Sequence, residues 1–338
     1  MEEAVLVGGF MKREKLCFYI GIGMLAVALT IRLAAAGVFG KAWEVLTSPQ
    51  AFKVMMFLET GKVMRPLPTF EEAPTEEVPP EEPAQPVFSQ ADAAFVAVKN
   101  YSSREPDVEK LLCQPLQWQL KSSQPAVLIL HSHGSESYTK TEDYEETSKY
   151  RTLNCDYNVV SVGDRLAGVL EAGGVQVIHD RVMHDNPSYS KSYSNARAST
   201  KEILKENPGI SLVVDLHRDA VENKSGQQVA MTAETDRGTA AQLMLVVGTD
   251  SNLSHDNWPE NMALAVKLHA LLEKKYPGIC RPISFRSQRF NQDLSPGALI
   301  VEVGAAGNDR QEALLAAEIL GEVILELSRG AATEDSTR

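Results

Sequence analysis

Three apolar runs of this chain each end in residues able to bind a metal or move a proton: Val127-Leu-Ile-Leu-His-Ser-His-Gly-Ser-Glu136, Leu212-Val-Val-Asp-Leu-His217 and Leu299-Ile-Val-Glu302. Strands of an open α/β sheet present functional groups at their carboxyl ends, so these runs can bring His133, Glu136, His217 and Glu302 to one edge. Two histidines, a glutamate three residues after the first and a distant second glutamate match a catalytic zinc site, with three protein ligands, an open coordination position and a carboxylate base. The chemistry this predicts is zinc-assisted hydrolysis.

His133-x-x-Glu136 is weak alone, because seven histidines and 45 acids in 338 residues yield roughly one such match by chance. Its position just past a strand end, paired with His217 at another, strengthens it; the plain alternative is solvent-facing or capping histidines. His131 is a local rival, since period-2 alternation puts it on the same face as His133, as a ligand or as a residue that orients one. Glu142, Glu145 and Glu146 are rivals for the carboxylate ligand. His179, His184, His255 and His269 lack this context, and His269, on a helix, reads as structural. Glu302 stands in an apolar strand, where an ionised carboxylate is costly unless paired or functional. A raised pKa beside zinc-bound water would suit a general base, and an ion pair with Arg218 or another arginine is the structural alternative.

The elements that must position these groups alternate as βαβ units do. Strands are expected over 127–131, 175–178, 211–216, 229–232, 242–247 and 299–303. Helices are expected from Val159 to the Gly173-Gly174 stop, over 190–207 ahead of Pro208-Gly209, over 259–276, and over 310–327. The fold class predicted is α/β: one catalytic domain over 126–328, a central, mostly parallel sheet flanked by helices, with a lead-in at 91–125 and a disordered tail at 329–338.

Upstream, Lys12, Arg13 and Lys15 precede an apolar stretch at 16–40 broken only by Arg32. That predicts a cytoplasmic tail (1–15) and one transmembrane anchor, with everything beyond it outside the cell membrane. A signal peptide cleaved after Ala34-Ala-Ala36 is the competing reading. A juxtamembrane segment (41–65) leads to a Pro/Glu-rich linker at 66–90, whose stretch from Pro66 to Pro86 holds seven prolines and six glutamates and reads as a stiff, extended spacer. A net charge of -12 argues against a broad phosphate-neutralising surface, so nucleic acid is not an expected partner. The four cysteines contain no CxxC pair and form no disulfide framework.

Segments at 131–138 (HSHGSESY), 158–180 (NVVSVGDRLAGVLEAGGVQVIHD), 192–197 (SYSNAR), 213–220 (VVDLHRDA), 246–252 (VVGTDSN), 276–283 (YPGICRPI) and 291–304 (NQDLSPGALIVEVG) resemble the stage II sporulation protein P family, relatives of zinc-dependent N-acetylmuramoyl-L-alanine amidases. The resemblance spans about 126–328. It implies an amidase-like sheet, with Zn2+ held by His133, Glu136 and His217 and Glu302 as the catalytic carboxylate. Arg218, Asn291 and Gln292 match family positions, with substrate positioning as the implied role. Ser132 stands where such chains commonly carry threonine. The implied substrate is peptidoglycan, cut at the lactyl–L-Ala amide and also, by endopeptidase action, at cross-links. The implied setting is the septal wall between mother cell and forespore during engulfment, with stage II sporulation protein D and a membrane scaffold as partners. A zinc carboxypeptidase or endopeptidase of other specificity, or a wall-binding domain without turnover, are the rival readings.

Overall fold

The computed structural model describes residues 87–116, 120 and 123–328 of the 338. The expected tail at 1–15, anchor at 16–40, segment at 41–65, all but the end of the linker and the tail at 329–338 lie outside the described residues. Among the described residues no helix is long and apolar enough to cross a membrane.

Element order is β1 (Val98–Tyr101), α1 (Val108–Cys113), β2 (Val127–Leu130), α2 (Val159–Ala172), β3 (Val177–His179), α3 (Ser192–Glu206), β4 (Leu212–Asp219), β5 (Thr232–Thr235), β6 (Gly238–Ala241), β7 (Leu243–Gly248), α4 (Trp258–Lys275), β8 (Ile283–Arg286), β9 (Ala298–Ala305) and α5 (Arg310–Ser328). Seven strands form one sheet in the order β1-β8-β7-β9-β4-β2-β3, while β5 and β6 form a separate hairpin. Neighbours in the large sheet are parallel throughout except β7 and β9, which run antiparallel. This is an α/β fold around a mostly parallel sheet.

The central strands are buried on both faces, which is why they read as unbroken apolar runs. Val127, Ile129, Leu212, Val214 and Leu216 enter a large core completed by α2, α4 and α5. Leu128, Leu130 and Val213 turn to the opposite face, where Ala196, Ile203 and Leu204 of α3 cover them. Asn158 caps α2, its side chain accepting from the Val160 N–H at 3.0 Å and donating to the Thr152 carbonyl at 3.0 Å. That one residue starts the helix and also fastens the loop after β2.

The structure corrects the element map in three places. The lead-in at 91–125 belongs to the sheet and core: it supplies β1 and α1, with Leu111 and Leu112 buried. β1 was illegible because Val-Lys-Asn-Tyr is an exposed edge strand with no apolar alternation. β8 follows Pro282 and is equally short, so it too escaped notice. The strand expected at 229–232 begins only at Thr232 and pairs in the hairpin outside the main sheet.

β9 enters beside β4 through Gly297, whose carbonyl accepts from the Val213 N–H at 2.9 Å. A Cβ there would lie 2.0 Å from the Ser211 carbonyl oxygen, a backbone atom that cannot swing away. Gly297→Ala should therefore destabilise the domain by about 1–3 kcal/mol. At Gly168 in α2 a Cβ would meet nothing within 4 Å, so Gly168→Ala should be neutral or stabilising by roughly 0.5–1 kcal/mol. Denaturant midpoints of both variants check the pair, and equal midpoints would contradict it.

Candidate functional site

Because β2, β4 and β9 run parallel as neighbours, their carboxyl ends open on the same edge of the sheet. His217 and Glu302 are register partners across β4 and β9. The turn after β2, closed by the Glu136 N–H on the His133 carbonyl at 3.1 Å, carries two more groups in. The His133 and His217 rings meet edge to face with centroids 5.3 Å apart, and His217 Nδ1 lies 3.6 Å from Glu136 Oε2. The structure thus brings His133, Glu136, His217 and Glu302 together.

Their chemistry is set by burial. Burial pushes the Glu136 carboxyl up, but His217 and Arg218 beside it more than reverse this and hold it at about 2. Burial likewise opposes charge on His217, yet the Asp215 carboxylate at 2.8 Å and Glu136 hold its imidazolium well above the usual value. Glu302 goes the other way, raised by burial to about 8, with Glu136 adding to the rise and His217 opposing it. No described cation forms an ion pair with Glu302, so the Arg218 alternative does not hold. Arg218 instead donates to the Ser137 and Tyr150 carbonyls at 2.9 Å each and flanks Glu136 at 3.7 Å.

Asp215 was missed from sequence, although its spacing of two from His217 was the available signal. It accepts from the Ser132 N–H at 2.7 Å and from the Ser132 hydroxyl at 2.5 Å, so the turn after β2 and the histidine of β4 are locked through one carboxylate. Tyr189 and Tyr193 were missed too. Tyr189 stacks on His133 with centroids 4.4 Å apart, Tyr193 meets it edge-on, and the Arg151 guanidinium lies over the Tyr189 ring at 4.7 Å.

Other expected residues lie elsewhere. β2 ends at Leu130, and the turn then breaks the alternation that would have put His131 with His133; His131 faces His179 and the Leu216 carbonyl instead. Gln292 is buried and spends both ends of its amide on β7, accepting from the Gly248 N–H at 2.7 Å and donating to the Val246 carbonyl at 2.8 Å. Asn291 donates to the Tyr193 carbonyl at 2.9 Å, so both hold the scaffold around the site. Glu142 pairs with Arg310 at 2.9 Å, and Glu145 and Glu146 are exposed. His269 Nδ1 on α4 bonds the Phe95 carbonyl at 2.9 Å, and His184 pairs with Asp180 at 3.1 Å.

Among the described residues no group of three or more His, Cys, Asp or Glu side chains is arranged to hold a metal ion. Donor type and one spacing at the site are nonetheless those of a zinc site. Ligands of a tetrahedral zinc, each ~2.0–2.2 Å from the ion, stand roughly 3.4 Å apart, close to the His217–Glu136 separation of 3.6 Å. His133 Nδ1 and Glu302 Oε2 are buried without any partner, as atoms awaiting one would be.

An α/β domain with histidines and carboxylates gathered at its strand ends is the setting in which the comparisons with known proteins fall. The model of the stage II sporulation protein P family matches residues 53–325, and the chain belongs to that family. Stage II sporulation protein P of Bacillus subtilis (strain 168) is 30% identical over 221 residues, 62% of this chain and 52% of that protein, so the chain spans about half the length of this curated relative. Among solved structures, N-acetylmuramoyl-L-alanine amidase AmiC2 of Nostoc punctiforme overlays with a TM-score of 0.37 at 15% identity, covering 61% of this chain and 96% of that one. The CwlD amidase from Clostridioides difficile, in complex with the GerS lipoprotein, gives 0.34 at 14%, covering 59% and 94%. At such similarity no residue assignment passes from them to this chain.

The buried Glu302 carboxyl has a pH signature. Its folded value of about 8 lies above the ordinary 4.5, so the native state keeps a proton that the unfolded chain releases. The associated stability is full below about 4.5 and is lost as pH rises through about 8. In metal-chelated protein, Glu302→Gln should gain on wild type by roughly 2–4 kcal/mol between pH 5 and 8. Glu136 and Asp215 act in the opposite direction in both proteins and largely cancel in the difference. Denaturant unfolding at several pH values measures it; a gap independent of pH would mean Glu302 is ionised in the fold.

Proposed function

We propose that this protein is a zinc-dependent peptidoglycan hydrolase of the N-acetylmuramoyl-L-alanine amidase type, remodelling septal wall during sporulation. The observation that carries the reading is the cluster at the ends of β2, β4 and β9: His133 and His217 beside Glu136, with the carboxyl of Glu302 next to His217. His133, Glu136 and His217 would hold the ion, and zinc when bound supplies a Lewis acid for the amide carbonyl. Asp215, fixed by Ser132, takes the Nε2–H of His217 and leaves Nδ1 turned to Glu136. Glu302 accepts the proton of the attacking water and returns it to the leaving amine nitrogen. The added positive charge of a bound zinc would favour the ionised form of Glu302, the form that can act as a base. Family membership supports the sporulation setting, and the basic-then-apolar amino terminus supports an anchored enzyme whose catalytic domain works outside the cell membrane. Stage II sporulation protein D and a membrane scaffold remain the proposed partners.

Three variants test the reading on one preparation each. His133→Ala and His217→Ala should lower bound zinc from about one per chain and abolish release of peptide stems from purified peptidoglycan. Glu302→Gln should keep zinc yet lose about 10²–10⁴-fold in rate. Mass spectrometry should find stems with a free L-Ala amine. Opened cross-links with intact lactyl amides would replace the amidase by an endopeptidase, and stoichiometric zinc in both histidine variants would remove those residues as ligands.

A further inference from the structure

The ladder between β2 and β4 stops at Leu130 and Asp215. On its other side β4 loses register with β9 between His217 and Asp219. The tip carrying His217 is therefore held by fewer backbone bonds than the rest of the strand. The His131 ring takes the missing place: it is fully buried, with Nδ1 2.8 Å from the Leu216 carbonyl oxygen. A carbonyl only accepts, so Nδ1 carries the proton.

The other ring nitrogen of His131, Nε2, lies 2.8 Å from Nε2 of His179. His179 closes β3 and is held from behind by Asp164 at 3.0 Å, and Asp164 in turn accepts from Arg181 at 2.6 Å. A second observation is independent of these bonds. Gly163 lies inside α2, where glycine is destabilising relative to alanine, and a Cβ there would lie 2.7 Å from Nε2 of both histidines. The glycine makes the room in which the two rings meet.

We propose that His131 and His179 are positioning residues: seated over Gly163, they anchor the Leu216 carbonyl and so set the adjoining His217 imidazole. The inference rests on the reading of His217 as a metal-site residue. It gives His179, far from the site in sequence, a task through His131.

The test uses the full chain labelled with ¹⁵N-histidine, in which seven histidines give few signals, and compares alanine with amide variants. In His131→Asn the amide can still donate to Leu216, and in His179→Gln it can still hydrogen-bond His131 in either direction. With metal chelated, His131→Ala and His179→Ala should shift the His217 ring signals; on titration of Zn2+ alone they should weaken affinity by about 10–100-fold. The amide variants should recover most of both. Unchanged His217 signals in the alanine variants, or equal losses in alanine and amide variants, would overturn the proposal. If His131→Ala does not fold, the His179 pair decides. If wild type binds no zinc, the zinc reading fails, and the His217 signals recorded without metal still settle the positioning role.

Discussion

His217 held between two buried carboxylates is the constraint on which the rest of the site depends. Asp215 and Glu136 are both held ionised near the bottom of the carboxylate range in an environment that opposes charge. Positive charge must stand between them, supplied by the imidazolium and the nearby Arg218 and Arg151 guanidiniums. Removing one partner of a buried pair leaves an uncompensated ion at a cost of about 3–5 kcal/mol. The same balance explains why Glu302, next in register, is pushed toward its protonated form: the pocket already holds all the negative charge its cations can match.

The sheet creates this crowding. Three parallel neighbours deliver their ends side by side, and Ser132 and Asp215 tie the turn after β2 to β4 before either strand reaches solvent. Across the single antiparallel seam, β7 and β8 point their carboxyl ends to the other edge, so those ends add no group here. Their contribution is indirect: Gln292 crosses to β7 and fixes the segment whose Asn291 holds Tyr193 against His133.

Periodicity made the central strands and the long helices legible, because burial on two faces or on one stripe leaves a strong apolar pattern. It failed at β1 and β8, where an edge position or mere shortness removes that pattern. At the site, the strand-end residues were legible because strand ends are where an α/β sheet puts chemistry. Tyr189 and Tyr193 were not, since one lies in the polar stretch between β3 and α3 and the other in the first turn of α3, and no local spacing encodes their approach to His133. Asn291 and Gln292 form a polar pair in a motif, which suggests contact with substrate; in the fold Gln292 spends its amide on the β7 backbone, while Asn291 donates to the Tyr193 carbonyl and accepts from the Arg197 guanidinium.

The His131 misplacement shows how one turn can invert a face. Alternation assigns His131 and His133 together only while the strand continues, and the ladder ends at Leu130, so the backbone beyond it is free to turn the second ring away. What results is a division of labour within three residues. The first histidine points into the large core side and meets His179 over Gly163; the second points to the α3 side and meets Tyr189, Tyr193 and His217. Ser132 between them holds Asp215. A tripeptide thus touches both faces of the sheet and the neighbouring strand, which is why the segment HSH is more informative as a unit than either histidine alone.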